Sequence, residues 1–442
     1  MAALLKIDHV TILRRAWPII LANATVPLLG LADTAVLGNL GTVTDLGAIA
    51  LGALLFSFVY WSFGFLRMGT TGFVAQAAGA GDEAEVRAAL GRALLIAAML
   101  GCLLIVLRGL IDELAFSLLS ASGPVETVAS GYFQLRIWGA PATLAMFVLM
   151  GVLIGLGNSR LILLLQLLLN GLNISLDVWF AGYLGMGARG IALGTLLAEW
   201  ITLGVALVVV VRLLATRRSA AERFWSLGSL LDSSKLRKTL VANLNIMVRT
   251  LLLIFSFAWF TNQSARFGDA VLAANHILLE LVSFAAFFLD GYAFVVESLV
   301  GTAVGARDRA GLDLAIRRSS ELAVITAVGL ALLLWLGGPL AITGLTDLAE
   351  VRQVAGSMVW LAAIYVLLSF AAFQLDGIFI GAGRTAAMRN AALLSTGFFL
   401  LVCWPMLGLY GAVGLWWAFI LFVVARAVAL LFYLPALRAS IA

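Results

Sequence analysis

Apolar residues run along this chain in twelve long stretches, separated by short polar gaps. The stretches lie near 14–38, 47–78, 90–111, 128–156, 160–182 and 188–214, then 239–262, 271–304, 312–336, 351–382, 386–408 and 411–437. Each is long enough to cross a bilayer, which takes about 20 residues of helix. Backbone polar groups in hydrocarbon must be satisfied within the segment, so the spans are predicted as α-helices. The expected fold is an all-α integral membrane protein of about twelve transmembrane helices in two pseudo-symmetric six-helix lobes. The longest polar segment, 215–238, falls midway. It divides an N-lobe (1–214, spans one to six) from a C-lobe (239–442, spans seven to twelve).

Composition supports lipid as the solvent. Hydrophobic residues make up 63% of the 442 residues and charged residues only 12%. A soluble domain carries about 45–50% and 25% respectively. The net charge of +5 says less than where the cations sit, because Lys and Arg gather on the cytoplasmic side. With the N-terminus inside, the cytoplasmic gaps and termini hold Lys6, Arg14, Arg15, Arg87, Arg92, Arg160 and seven cations from Arg212 to Lys238. They also hold Arg307, Arg309, Arg317, Arg318, Arg384, Arg389 and Arg438, whereas the outer gaps hold only Arg108, Arg189, Arg266 and Arg352. Both termini and the 215–238 linker are therefore expected in the cytoplasm of a multi-pass inner or plasma membrane protein. The N-terminus shows no signal-peptide cleavage pattern. Cys102 and Cys403 lie inside apolar stretches and offer no disulfide framework.

The two halves repeat. Gly79, Ala80 and Asp82 correspond to Gly305, Ala306 and Asp308 at a shift of 226. Gly151, Gly155 and Gly157 correspond to Gly377, Gly381 and Gly383 at the same shift, and Gly187 and Gly190 to Gly411 and Gly414 at 224. The shift joins spans of the same direction, which predicts a parallel repeat suited to alternating access.

Ionisable groups at membrane depth are costly and point to function. Asp33 and Asp177 fall at similar depth in spans one and five. Asn170, Asn173 and Asp177 are spaced by three and four and share a helix face. Two neighbouring carboxylates in a low dielectric disfavour double ionisation, so the pair reads as a proton switch. Sodium at Asp33, Asn173 and Asp177 is the alternative, since these oxygens suit a hard cation. Pro27 removes a backbone donor six residues before Asp33 and predicts a bend there. Span eight carries Glu280, Asp290 and Glu297 and span ten carries Asp376, with Arg249 on span seven able to pair with such acids. These five residues are read as a C-lobe substrate or cation site, with a structural ion pair as the alternative. No H-E-x-x-H, G-x-S-x-G or P-loop occurs, so no catalytic residues, no enzyme activity and no cofactor beyond H+ or Na+ are expected.

The chain resembles the multidrug and toxic compound extrusion (MATE) family, and within it the DinF (DNA-damage-inducible protein F) branch. The resemblance shows in PLLGLADTAVLGNLG from Pro27, FLRMGTTGFVAQAAGAGD from Phe65 and LNISLDVWFAGYLGMGARGIALGTLLAEW from Leu172. It continues in FLDGYAFVVESLVGTAVGARD from Phe288 and LDGIFIGAGRTAAMRNA from Leu375. It implies two six-helix lobes and export of drugs or organic cations against a proton or sodium gradient. It implies an N-lobe coupling site at Asp33, Asn173 and Asp177, with Thr195 on span six and Tyr132 on span four, and a span-ten acid at Asp376. Some relatives carry an acidic cation ligand on span seven; this chain offers Arg249 there, which argues against a C-lobe sodium site.

The expected cargo is small, amphipathic and often cationic. The expected surroundings are membrane lipid, with no nucleic-acid partner, and the expected state is a monomer. The alternative function is a lipid-linked precursor flippase of the same superfamily, which calls for more cations along the cavity than are seen here. A facilitator-type transporter is a poorer match, because AGAGDEAEVRAALG does not fit its motif after span two.

Overall fold

The computed structural model describes residues 7–27, 30, 33, 34, 36, 42–118, 122–217 and 224–441. Lys6, much of the outer half of the first span and part of the 215–238 linker lie outside the described residues. The described residues form helices and no strand. In chain order they are α1 (His9–Ala24), α2 (Val43–Ser62), α3 (Phe65–Gly79), α4 (Glu83–Val106), α5 (Arg108–Leu118) and α6 (Gly123–Arg136). A 3-10 turn (Ile137–Gly139) leads into α7 (Ala140–Gly155), then α8 (Ser159–Asp177), a π-helical turn (Val178–Tyr183) and α9 (Gly187–Ala215). There follow α10 (Leu227–Leu230), α11 (Ser233–Ala265), α12 (Asp269–Gly305), α13 (Arg309–Leu345), α14 (Ala349–Gly381) and α15 (Thr385–Ala439).

Ten helical segments among the described residues are long and apolar enough to span a membrane. The last of them, α15, is two spans in sequence: Gly411 sits at φ 58° and ψ −134° and breaks the helix there. That backbone region is open to glycine and closed to most L-residues. The first predicted span is described only in part. Together these account for the twelve-helix membrane fold predicted from the apolar pattern. Large apolar side chains stand outward, with Phe432 80% and Leu401 77% exposed, a surface that hydrocarbon solvates and water does not.

Contacts divide the described residues into two compact units. The C-terminal unit draws on Met1–Ile20, Ala75–Gly81 and Thr239–Ala442; the N-terminal unit draws on Leu21–Val74 and Asp82–Lys238. Each unit repeats the other's internal construction. In the N-terminal unit, a Cβ on Gly151 of α7 would stand 2.5 Å from the Arg67 carbonyl oxygen of α3, and one on Gly155 3.0 Å from that of Thr71. In the C-terminal unit, Gly377 of α14 meets the Ala293 carbonyl of α12 at the same 2.5 Å, and Gly381 abuts that of Glu297. All four pairs obey the 226-residue shift. So do two N-caps: Asp82 Oδ1 accepts from the Glu85 N–H and Asp308 Oδ1 from the Gly311 N–H, both at 2.8 Å. The left-handed residues Gly81 (φ 73°) and Arg307 (φ 54°) match, as do Gly157 (71°) and Gly383 (67°). At a shift of 224, Gly187 (56°) and Gly411 (58°) match too.

The polar segment leading into α11 packs within the N-terminal unit on the start of α4. Trp225 Nε1 donates to the Arg87 carbonyl at 2.9 Å, Arg92 Nη1 to the Ser229 carbonyl at 2.8 Å, and Lys235 Nζ to Glu85 Oε2 at 2.7 Å.

Candidate coupling site

The N-terminal unit gathers polar side chains from four segments around the end of α8. Asn170, Asn173 and Asp177 are 7%, 3% and 1% exposed, so the predicted polar stripe of this helix faces inward. Asn173 Nδ2 donates to Thr195 Oγ1 of α9 at 2.9 Å. Asn170 Nδ2 donates to the Thr25 carbonyl at 3.3 Å and receives Gln166 Nε2 at 2.9 Å on its Oδ1. Asp177 is the last α-helical residue before the π-helical turn, a local widening common at functional sites. Its carboxylate lies on Gly194 of α9, where any Cβ would collide with Oδ1. Gly190, one turn earlier on α9, lets the helix close on the Ala181 backbone, with a virtual Cβ 2.6 Å from its nitrogen.

Asp33 is half-buried and helical, and its carboxyl group faces that of Asp177 within hydrogen-bonding reach. Both Asp177 oxygens and Asp33 Oδ1 are buried and make no well-formed hydrogen bond, with the Asn173 amide lying beside Asp177. Two carboxylates are acceptors only, so they bond to each other only when one carries a proton. Tyr132 of α6 is 1% exposed; its ring is seated on Gly52 and lies edge-on to Phe56 at 6.2 Å. The helix carrying Pro27 is interrupted just before it: α1 ends at Ala24, Thr25 is a turn, and residues 26 and 27 are helical again. Asp33, Asn173, Asp177, Thr195 and Tyr132 thus fall in one unit, with the Thr25 break joined to them through Asn170.

The C-terminal unit holds a different arrangement. Asp376 of α14 is clamped by Arg249 of α11, and Arg426 of α15 approaches the same Oδ2 at 3.6 Å. The three are 6%, 8% and 5% exposed respectively. Asp376 and Arg249 therefore meet as an ion pair inside the unit. Glu297 is buried, Asp290 half-buried and Glu280 exposed.

Sequence reasoning passed over Arg426, Glu199 and the place of Arg136. Glu199 of α9 is 8% exposed and follows Thr195 by one turn, in GTLLAEW. A carboxyl in mid-span was the available signal.

The fold defines a class, the polytopic helical membrane proteins built from an internal repeat, here with buried acids in both units. The MatE family model matches residues 18–179 and again 245–406, so the family's unit occurs twice, the second starting 227 residues after the first. The chain is 37% identical to DNA damage-inducible protein F of Escherichia coli over 94% of this chain and 89% of that one. It is 25% identical to Protein DETOXIFICATION 44, chloroplastic, of Arabidopsis thaliana over 94% of this chain and 80% of the relative. Its fold is similar to that of the Vibrio cholerae MATE transporter VcmN in the bent form, with a TM-score of 0.87 at 20% identity, covering 98% and 97% of the two chains. The chain belongs to the MATE family of multidrug transporters, in its DinF branch.

Proposed function

We propose that this chain exports amphipathic, often cationic molecules in exchange for protons, with Asp33 and Asp177 as the proton-coupling pair. The observation that carries this reading is the buried Asp177 carboxylate facing the carboxyl group of Asp33. A proton bridges the pair, and its loss frees negative charge that attracts a cationic cargo. Asn173, held on Thr195, and Tyr132 flank the pair. A change in the Asp33 partners acts next to the Thr25–Pro27 break in the first span, which bends and displaces cargo from the N-lobe. The lobes are 1–214 and 239–442, joined by the cytoplasmic linker 215–238, with both termini on that side. Relatives named as multidrug resistance proteins, such as NorM of Thermotoga maritima at 30% identity over 45% of this chain, support efflux over lipid-precursor flipping.

Reconstituted protein in vesicles loaded with a fluorescent lipophilic cation tests the coupling. Export is expected on imposing a pH gradient without sodium. A requirement for sodium at constant pH gradient keeps the acids as the ion site and rejects the proton. Lipid-precursor accumulation on deletion, without change in drug susceptibility, supports the flippase instead.

A further inference from the structure

One helical turn from the Asp33–Asp177 pair, the N-terminal unit holds a second polar layer. Arg136 follows Tyr132 by four residues on α6, and Glu199 follows Thr195 by four on α9, so each lies about 6 Å, just over one turn, along its helix from a member of the first layer. The Arg136 guanidinium carbon stands 4.4 Å from the centroid of the Phe56 ring and 5.8 Å from that of Tyr132. Its Nη2 is 4.0 Å from Glu199 Oε1. A structural Arg–carboxylate pair closes to about 2.7–2.9 Å and engages both oxygens; this one does neither. Glu199 Oε2, Arg136 Nε, Tyr60 Oη and Thr143 Oγ1 are buried and make no well-formed hydrogen bond, the Thr143 hydroxyl lying beside both Glu199 and Tyr60. The Tyr60 and Thr143 hydroxyls adjoin Glu199, and Arg136 lies within electrostatic range of both Asp33 and Asp177. Glu199 is seated on Gly139, where any side chain would collide with Oε2.

We infer that Glu199 is a second proton-carrying site, so that two protons exchange for each monovalent cation exported. The inference rests on the proton-coupled reading above. Three carboxyls, the half-buried Asp33 and the buried Asp177 and Glu199, lie within electrostatic range of one guanidinium. Arg136 balances one of them, and a buried excess of negative charge is costly, so the layer is neutral with two protons bound. One proton bridges the aspartates and the other rides on Glu199. When a monovalent cation leaves and two protons enter, one net positive charge moves with the protons. Arg136 is a positioning residue that keeps one carboxylate ionised.

The test is export of tetraphenylphosphonium from proteoliposomes under a pH gradient, with charge movement recorded on a solid-supported membrane. Wild type is expected to move one net charge per exported cation. Glu199→Gln is expected to export still, more slowly, with that charge falling to zero and one proton fewer taken up. Glu199→Asp is expected to retain the current. Glu199→Leu, which leaves Arg136 to balance the singly protonated aspartate pair, keeps the layer neutral and is expected to lack the current too. Unaltered charge per cation in Glu199→Gln, or in Glu199→Leu where Glu199→Gln does not fold, overturns the inference. A wild type that is proton-driven but electroneutral overturns it alone. A wild type with no proton-driven export overturns the coupling reading with it.

Discussion

The Asp177 carboxylate rests on the bare Cα of Gly194. A Cβ at position 194 would collide with Oδ1 and stand 3.1 Å from the Asp177 backbone nitrogen. Glycine here makes room for a functional group rather than for a turn. Gly194→Ala is expected to push the carboxylate away from Asp33 and lower export at least ~10-fold, equivalent to about 1.4 kcal/mol. In the Asp177→Asn background the same change is expected to add little, because coupled neighbours are not additive. Additive losses across the four proteins would show that Gly194 acts on helix packing alone.

Asn173 and Thr195 form one hydrogen bond, at 2.9 Å, beside the acid pair. Removing one partner of a buried bond leaves the other unsatisfied and costs about 1–3 kcal/mol. Asn173→Ala and Thr195→Ala are each expected to slow export several-fold, and the double variant to do no worse than the more damaging single. Export rates of the four proteins in a double-mutant cycle measure this coupling.

The internal repeat makes a prediction at a surface position. Arg307 is exposed and sits at φ 54°, where its partner in the first half is Gly81. A non-glycine residue in this region costs about 1–2 kcal/mol. Arg307→Gly is expected to raise the melting temperature in detergent, and Gly81→Ala to lower it. A lower melting temperature for Arg307→Gly would mean that its side-chain contacts outweigh the backbone cost.

The Arg249–Asp376–Arg426 cluster is predicted to respond unequally to the loss of each charge. Asp376→Asn leaves two buried guanidinium groups facing one another, while Arg249→Met leaves Asp376 with Arg426. Breaking a buried pair typically costs about 3–5 kcal/mol. Asp376→Asn is therefore expected to lower thermal stability more than Arg249→Met. The reverse order would place the dominant partner of Arg249 elsewhere.

Much of this architecture was legible in the sequence. The apolar stretches reported the helices because length and lipid solubility constrain them jointly. The 226-residue shift was visible in glycines because those glycines meet carbonyl oxygens at the same places in both units, and the contact tolerates no side chain. Asn170, Asn173 and Asp177 could be placed on one inward face from their spacing. Glu199 was harder to see: it sits singly in an apolar span, and only folding brings it to Arg136 from another helix. Gly139 and Gly194 were opaque for a related reason. Their role is to leave space for carboxylates that are distant in the chain, and spacing carries no record of that. The C-terminal cluster was half visible, since Arg249 and Asp376 could be suspected of pairing whereas Arg426 could not be assigned to the same carboxylate.

The central claim is that Asp33 and Asp177 couple export to protons. Proteoliposomes containing wild type, Asp33→Asn or Asp177→Asn can be given equal pH gradients in sodium-free buffer, and efflux of one fluorescent cation followed. Wild type is predicted to export; Asp33→Asn is predicted to fold and bind the cation yet show no gradient-driven efflux, and Asp177→Asn to lose nearly as much. Wild-type efflux rates from a well-folded Asp33→Asn protein would contradict the account.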